Sequence, residues 1–89
     1  MLTIVTTKKF EKSLQRMRKR GKSLVKIKSV IEQLATKGIL ESRYKKHSLV
    51  GNWQGFYECH IEPDWLLIYK IDGNELLLAE TGTHSDLFF

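Results

Sequence analysis

Eight consecutive residues, Asp64 to Ile71 (DWLLIYKI), constrain this chain more than any other feature. The run is strongly apolar and rich in aromatic and β-branched residues, and it falls far short of the ~20 residues of a membrane span. It reads as a strand at the centre of its sheet. Asp72-Gly73-Asn74 follows, a hairpin turn in which Gly and Asn supply positive φ. Trp53 to His60 reads as the strand before it, connected through Ile61-Glu62-Pro63, and Glu75 to Glu80 as the strand after it. These three strands form an antiparallel meander. Thr81-Gly82-Thr83-His84 then leaves the sheet, and Leu87-Phe88-Phe89 closes the chain.

The first half has a different texture. Leu2-Thr3-Ile4-Val5 is a short β-branched strand, after which Thr6 or Thr7 caps a helix. Phe10, Leu14 and Met17 recur at helical spacing until Gly21. Ser23 opens a second helix with an apolar stripe of Leu24, Ile27, Ile31 and Leu34, Val30 beside it, and Gly38 at its end. So short a link makes the pair an antiparallel hairpin. A helical hairpin alone cannot bury both stripes, so the sheet must supply the second layer. Residues 39–52 look irregular. The expected fold class is α+β, in the order β-α-α-β-β-β, with a helical hairpin packed on a small, mainly antiparallel sheet. At 89 residues the chain is expected to be a single domain, 1–89.

Charge narrows the function. Residues 1–48 hold 14 Lys/Arg against 3 Asp/Glu, whereas residues 49–89 hold one against 7. A first half this basic suits a polyanion, and Lys8, Lys9, Lys12, Arg16, Arg18, Lys19, Arg20, Lys22, Lys45 and Lys46 are the expected nucleic-acid contacts. One cysteine, Cys59, allows no internal disulfide. With no secretory pattern in the first residues, the chain reads as cytoplasmic, with no membrane partner.

The chemistry-bearing residues lie in the second half. His47, His60 and His84 are the only histidines, and His60 and Asp64 flank a three-residue connection that puts them at one hairpin mouth. Imidazoles titrate near neutrality, so one can take the proton of an RNA 2′-OH while another donates to the leaving 5′-oxygen. Asp64 is placed to orient an imidazole, as in triads. The alternatives are zinc ligation by the histidines with Asp64 or Cys59, which lacks the usual ligand spacing, and histidines bonded to backbone for purely structural reasons. Cys59 has no activating neighbours and reads as a small buried residue. The reading favoured is acid–base chemistry with no metal and no cofactor. Among the aromatics, Phe88 beside His84 is the one expected to offer a free ring for base stacking.

Three stretches carry a resemblance: KHSLVGNWQGF at 46–56, ECHIEPDWLLIYK at 58–70 and TGTHSDLF at 81–88. Together they resemble the YafQ branch of the RelE/ParE toxin superfamily, which implies a RelE-like microbial RNase fold. It also implies the toxin half of a type II toxin–antitoxin pair, an mRNA interferase that enters the ribosomal A site and cuts the exposed codon. The products are a 2′,3′-cyclic phosphate and a 5′-hydroxyl. On that resemblance His47, His60, Asp64 and His84 are catalytic positions, Phe88 an aromatic one, and Trp65 an RNA contact. His84 is the expected acid, with His47 or a His60–Asp64 pair as base. The implied partners are a small acidic antitoxin in a hetero-oligomer, the ribosome with its rRNA, and mRNA. Two positions depart from the family's pattern: Glu80 stands where Arg is expected before the TGTH motif, and Tyr57 where many relatives carry Arg. An Arg there would clamp the scissile phosphate, and Glu80 would repel it. The expectation is therefore a slow nuclease. The alternative is an inactive binding module of the same fold, acting on the ribosome, the antitoxin or another target such as gyrase.

Overall fold

The computed structural model describes residues 1–88 and is α+β. In chain order it contains β1 (Thr3–Thr6), α1 (Lys8–Lys19), α2 (Leu24–Lys37), β2 (His47–Ser48), β3 (Tyr57–Glu62), β4 (Trp65–Asp72), β5 (Glu75–Gly82) and α3 (His84–Phe88). The five strands form one sheet in the order β1-β5-β4-β3-β2. The meander is antiparallel throughout, and β1 joins its far edge parallel to β5. Among the described residues no helix is long and apolar enough to cross a membrane.

Thr7 caps α1. Its hydroxyl accepts from the Phe10 N–H at 2.9 Å and donates to the Ala79 carbonyl at 2.9 Å, tying the helix start to β5. Ser23 precedes α2 but makes no side-chain cap bond, and Gly38 ends that helix at φ 70°. The helical stripes bury Phe10, Met17, Ile27, Val30 and Leu34 against Cys59, Ile61, Trp65, Leu67, Tyr69, Leu76 and Leu78 of the sheet. Residues 65–69 of β4 are all at most 1% exposed. Neighbours on both edges and burial of successive residues are what a central strand requires.

Several boundaries differ from the sequence reading. The strand expected from Trp53 begins at Tyr57, because Gly51 to Trp53 form a helical turn and Gly55 adopts φ 92°. That strand then runs on to Glu62, so Ile61 and Glu62 belong to it and only Pro63 and Asp64 turn. A register shift at Ile61 (His60 opposite Leu66, then Glu62 opposite Trp65) makes this possible. β5 extends to Gly82, and His84–Phe88 form α3, with Phe89 outside the described residues. Residues 39–52 are not wholly irregular: His47 and Ser48 pair with Glu58 and Tyr57 as an edge strand.

Candidate active site

β3 alternates. Cys59 and Ile61 enter the core, so Glu58 and His60 point to the opposite face. The pairing of β2 sets His47 directly opposite Glu58. His47 therefore reaches the site on an edge strand of the sheet and not from the irregular segment expected over residues 39–52. The His60 ring centroid lies 5.9 Å from that of His47 and 5.7 Å from that of His84. Three imidazoles from three segments thus form one row, with His60 in the middle.

The two outer rings have different partners. His47 Nε2 pairs with the Glu58 carboxylate, and its Nδ1 lies 3.1 Å from the Lys45 carbonyl. Both partners are acceptors, so both contacts are complete only when the ring carries two protons. Lys45 is the one non-glycine residue at positive φ among the described residues (50°), which turns its carbonyl toward the ring. His84 donates its backbone N–H to Asp64 Oδ1 at 2.9 Å, and its Nδ1 is 2.6 Å from the same oxygen. These two bonds, backbone first, hold the Asp64 carboxyl below its ordinary range. With Nδ1 on the carboxylate, Nε2 of His84 is left for a substrate.

Asp64 was expected to serve His60. It serves His84 instead, because the register shift at Ile61 and the turn at Pro63 carry its carboxylate toward the residues that follow β5. Trp65 was expected to touch RNA, and that too is corrected. It is fully buried in the core, and its Nε1–H donates to the Thr81 hydroxyl at 2.9 Å. Phe88 is exposed, as anticipated, in α3.

Glu80 does not stand free as a repelling charge. It is buried, accepts from the Ser13 hydroxyl on α1, and lies 3.7 Å from Lys9. Tyr57 stacks on Tyr69 at 5.9 Å, with the Lys46 ammonium 4.4 Å above its ring. Of the basic residues, Lys22 reaches Glu62 at 2.7 Å, and with Lys26 lowers that carboxyl's pKa. Arg20 reaches Asp86 at 2.7 Å. Lys8, Lys12, Arg18, Lys19 and Lys45 are exposed.

Sequence reasoning missed Glu58. The signal was present: two residues from His60 on a strand means the same face, and a buried carboxylate requires a cation or donor. His47, Glu58 and His60 offer ligand atoms all within 4.8 Å of one another, and Glu58 Oε1 is buried without a partner. Two imidazoles and a carboxylate at that spacing fit a divalent transition metal. The set differs from the one considered from sequence, which included Cys59. That thiol is fully buried, and burial pushes its pKa up to about 12. We expect Cys59 to resist a thiol reagent at pH 8 in the folded protein and to react at once in denaturant. Rapid labelling of the native chain would contradict its placement.

Comparison with known proteins gives a consistent picture. The family model described as bacterial toxin of type II toxin–antitoxin system, YafQ, matches residues 2–89. The mRNA interferase toxin YafQ of Escherichia coli K12 is 39% identical over 80 residues, covering 89% of this chain and 87% of the relative. The toxin in the crystal structure of the E. coli DinJ–YafQ complex superposes with a TM-score of 0.92 at 36% identity, covering all of both chains. The crystal structure of a metal-bound toxin from Helicobacter pylori gives 0.91 at 46% identity, over 99% of this chain and all of the other. The row of imidazoles therefore sits in a protein that belongs to the YafQ family of bacterial type II toxins.

Proposed function

We propose that this chain is a cytoplasmic, ribosome-dependent endoribonuclease that cuts mRNA in the A site by acid–base chemistry and is held in check by an acidic antitoxin. The observation that carries the reading is the row of three rings, each less than 6 Å from the next, with the outer two on different carboxylates. Groups of one chemical type with distinct partners can take opposite proton-transfer roles. The names of the relatives, an mRNA interferase and a toxin bound to DinJ, support the same reading.

The roles follow from the partners. His60 is the central base and takes the proton from the 2′-OH. The O2′–P bond then forms, the P–O5′ bond breaks, and His84 donates to O5′ from Nε2 while Asp64 keeps its ring oriented. The nucleophile belongs to the RNA itself, so the proton transfers are work for imidazoles alone. His47, completed as a cation by Glu58 and the Lys45 carbonyl, faces the charge that builds on phosphorus, aided by Lys45, which lines a cavity with His60. These cations replace the Arg expected at positions 57 and 80 and lack its bidentate fork, so turnover is slow. Phe88 stacks on a base beside the cut, and the exposed cations of α1 meet ribosomal RNA or the antitoxin.

Primer extension on message from a translating extract tests this. Cuts within codons, with cyclic-phosphate ends that persist after EDTA treatment once ribosomal magnesium is restored, are the expected result. Translation arrest with intact message would instead favour the binding-module reading.

The same cluster favours a second ligand, because the Helicobacter pylori relative is metal-bound and the spacing here fits. A cation held by His47, Glu58 and His60 would act as a Lewis acid when bound. His47 and His60 would then give up the nitrogen lone pairs that proton transfer uses. Zinc added at stoichiometric levels should shift the ring signals of both residues and slow cleavage, reversibly with chelator. Unmoved ring signals would remove this reading.

A further inference from the structure

We propose that Arg20, grouped by sequence with the RNA contacts, is instead a positioning residue that fixes His84 through Asp86. The proposal deepens the nuclease reading and rests on it. His84 lies between Thr83 and Asp86 at the start of α3, and those two residues cap each other. The Asp86 N–H donates to the Thr83 hydroxyl at 3.2 Å, and the Thr83 N–H donates to Asp86 Oδ2 at 2.9 Å. Five residues make too short a helix to hold its shape alone, so these bonds set the backbone from which His84 projects.

Arg20 completes the arrangement from outside. Its two Nη groups donate to Oδ2 and Oδ1 of Asp86 at 2.7 and 3.2 Å, and Arg16 Nη1 lies 3.8 Å from Oδ1. The guanidinium fork therefore joins the end of α1 to the capping turn. The Asp86 side chain is 14% exposed, against 43% for Arg20, so its charge is largely withdrawn from water. Ion pairs at the surface are worth little on their own. This one is bidentate and includes a carboxylate already shared with a backbone donor, which is where geometry is fixed rather than merely allowed. The arginine, foremost, and the Thr83 N–H hold the Asp86 carboxyl well below its usual range.

Gly82 shows how closely the turn is packed. A Cβ at that position would lie 2.9 Å from Asp86 Cβ and 3.0 Å from Oδ2. The turn thus closes on Asp86 from the β5 side, while Arg20 closes it from α1. On the far side of His84, Asp64 takes both the backbone N–H and Nδ1. His84 thus lies between two carboxylates, Asp64 on its ring and its N–H and Asp86 on the capping turn from which it projects, and Asp86 is held by Arg20.

The test compares four variants of the full chain: Arg20→Met, Arg20→Lys, Asp86→Asn and Arg18→Ala. Arg18 is exposed on the same helix. Single-turnover cleavage and an NMR titration of the Asp64 carboxyl are measured for each. Arg20→Met and Asp86→Asn should lower kcat roughly 10- to 100-fold with little change in KM, as loss of positioning does. In both, the Asp64 carboxyl should titrate closer to its ordinary range, because His84 no longer stays in register. Arg20→Lys, which keeps one arm of the pair, should restore most of both signals. Arg18→Ala should raise KM alone. If Arg20→Met raises KM and spares kcat, Arg20 belongs to the RNA surface and the proposal fails. An unchanged Asp64 titration also defeats it. Should Arg20→Met not fold, Asp86→Asn against wild type decides. The titration needs no nuclease activity, so a failure of the nuclease reading would leave the positioning claim separately decided.

Discussion

Replacing His84 with alanine is expected to reduce codon cleavage by about 10²–10⁴-fold and to leave folding intact. The ring is 54% exposed and belongs to no core cluster, so its removal takes away little buried surface. What it takes away, on the proposed mechanism, is the proton donated to the departing 5′-oxygen, a group too basic to leave unaided at neutral pH. Asp64→Ala should fall between wild type and His84→Ala, because the imidazole remains while its tautomer and orientation are no longer set. The measurement is single-turnover cleavage on isolated ribosomal complexes, with thermal unfolding alongside. A His84→Ala protein that cuts at the wild-type rate would end the assignment of general acid to this residue.

Trp65→Ala should destabilise the fold by about 3–5 kcal/mol, the range for deleting a buried large aromatic. A domain of this size has a net stability of roughly 5–15 kcal/mol, so the variant is expected to be marginal or unfolded at physiological temperature. The loss has two sources. A fully buried indole leaves a cavity in the middle of the core, and Thr81 loses the donor to its hydroxyl. Trp65→Phe keeps most of the volume and gives up one hydrogen bond, about 1 kcal/mol. Urea denaturation of the two variants measures this. The pair also separates core packing from RNA stacking: if Trp65 bound RNA, Trp65→Ala would fold normally and bind message poorly. The core placement requires the reverse, with Trp65→Phe both folded and active.

The parts of this molecule legible in sequence are those governed by short-range pattern. The stripes of α1 and α2, Gly38 at a helix end and the hairpin turn at Gly73-Asn74 follow from periodicity and turn chemistry, although Gly73 alone, and not Asn74, adopts the positive φ expected of both. That β4 is central followed from a strongly apolar run, Trp65 to Tyr69, in succession. The existence of the site was legible as well, since three histidines and an aspartate fall within well-defined motifs. Its wiring was not. Whether Asp64 serves His60 or His84 depends on one extra residue in a β-ladder, and Ile61 gives no local sign that it causes a register shift. The two-residue strand carrying His47 is too short to show alternation. Trp65 looked like an RNA contact because it adjoins Asp64. Asp64 lies in the exposed turn, whereas β4 begins at Trp65 and is covered on both faces from its first residue. Glu80 appeared hostile to phosphate only while its partners Ser13 and Lys9, 67 and 71 positions earlier in the chain, were out of view.

The parallel pairing of β1 with β5 bears on when this protein becomes dangerous to the cell that makes it. β1 leaves the ribosome first among these elements, yet its neighbour in the sheet is the last strand to be translated. The acid His84 is later still. A nascent chain thus emerges with helices that can form early and a sheet that cannot close, because its longest-range contacts await residues not yet polymerised. The proposed cutting activity waits until β5 and His84 have been made, which leaves a newly made antitoxin that interval in which to arrive.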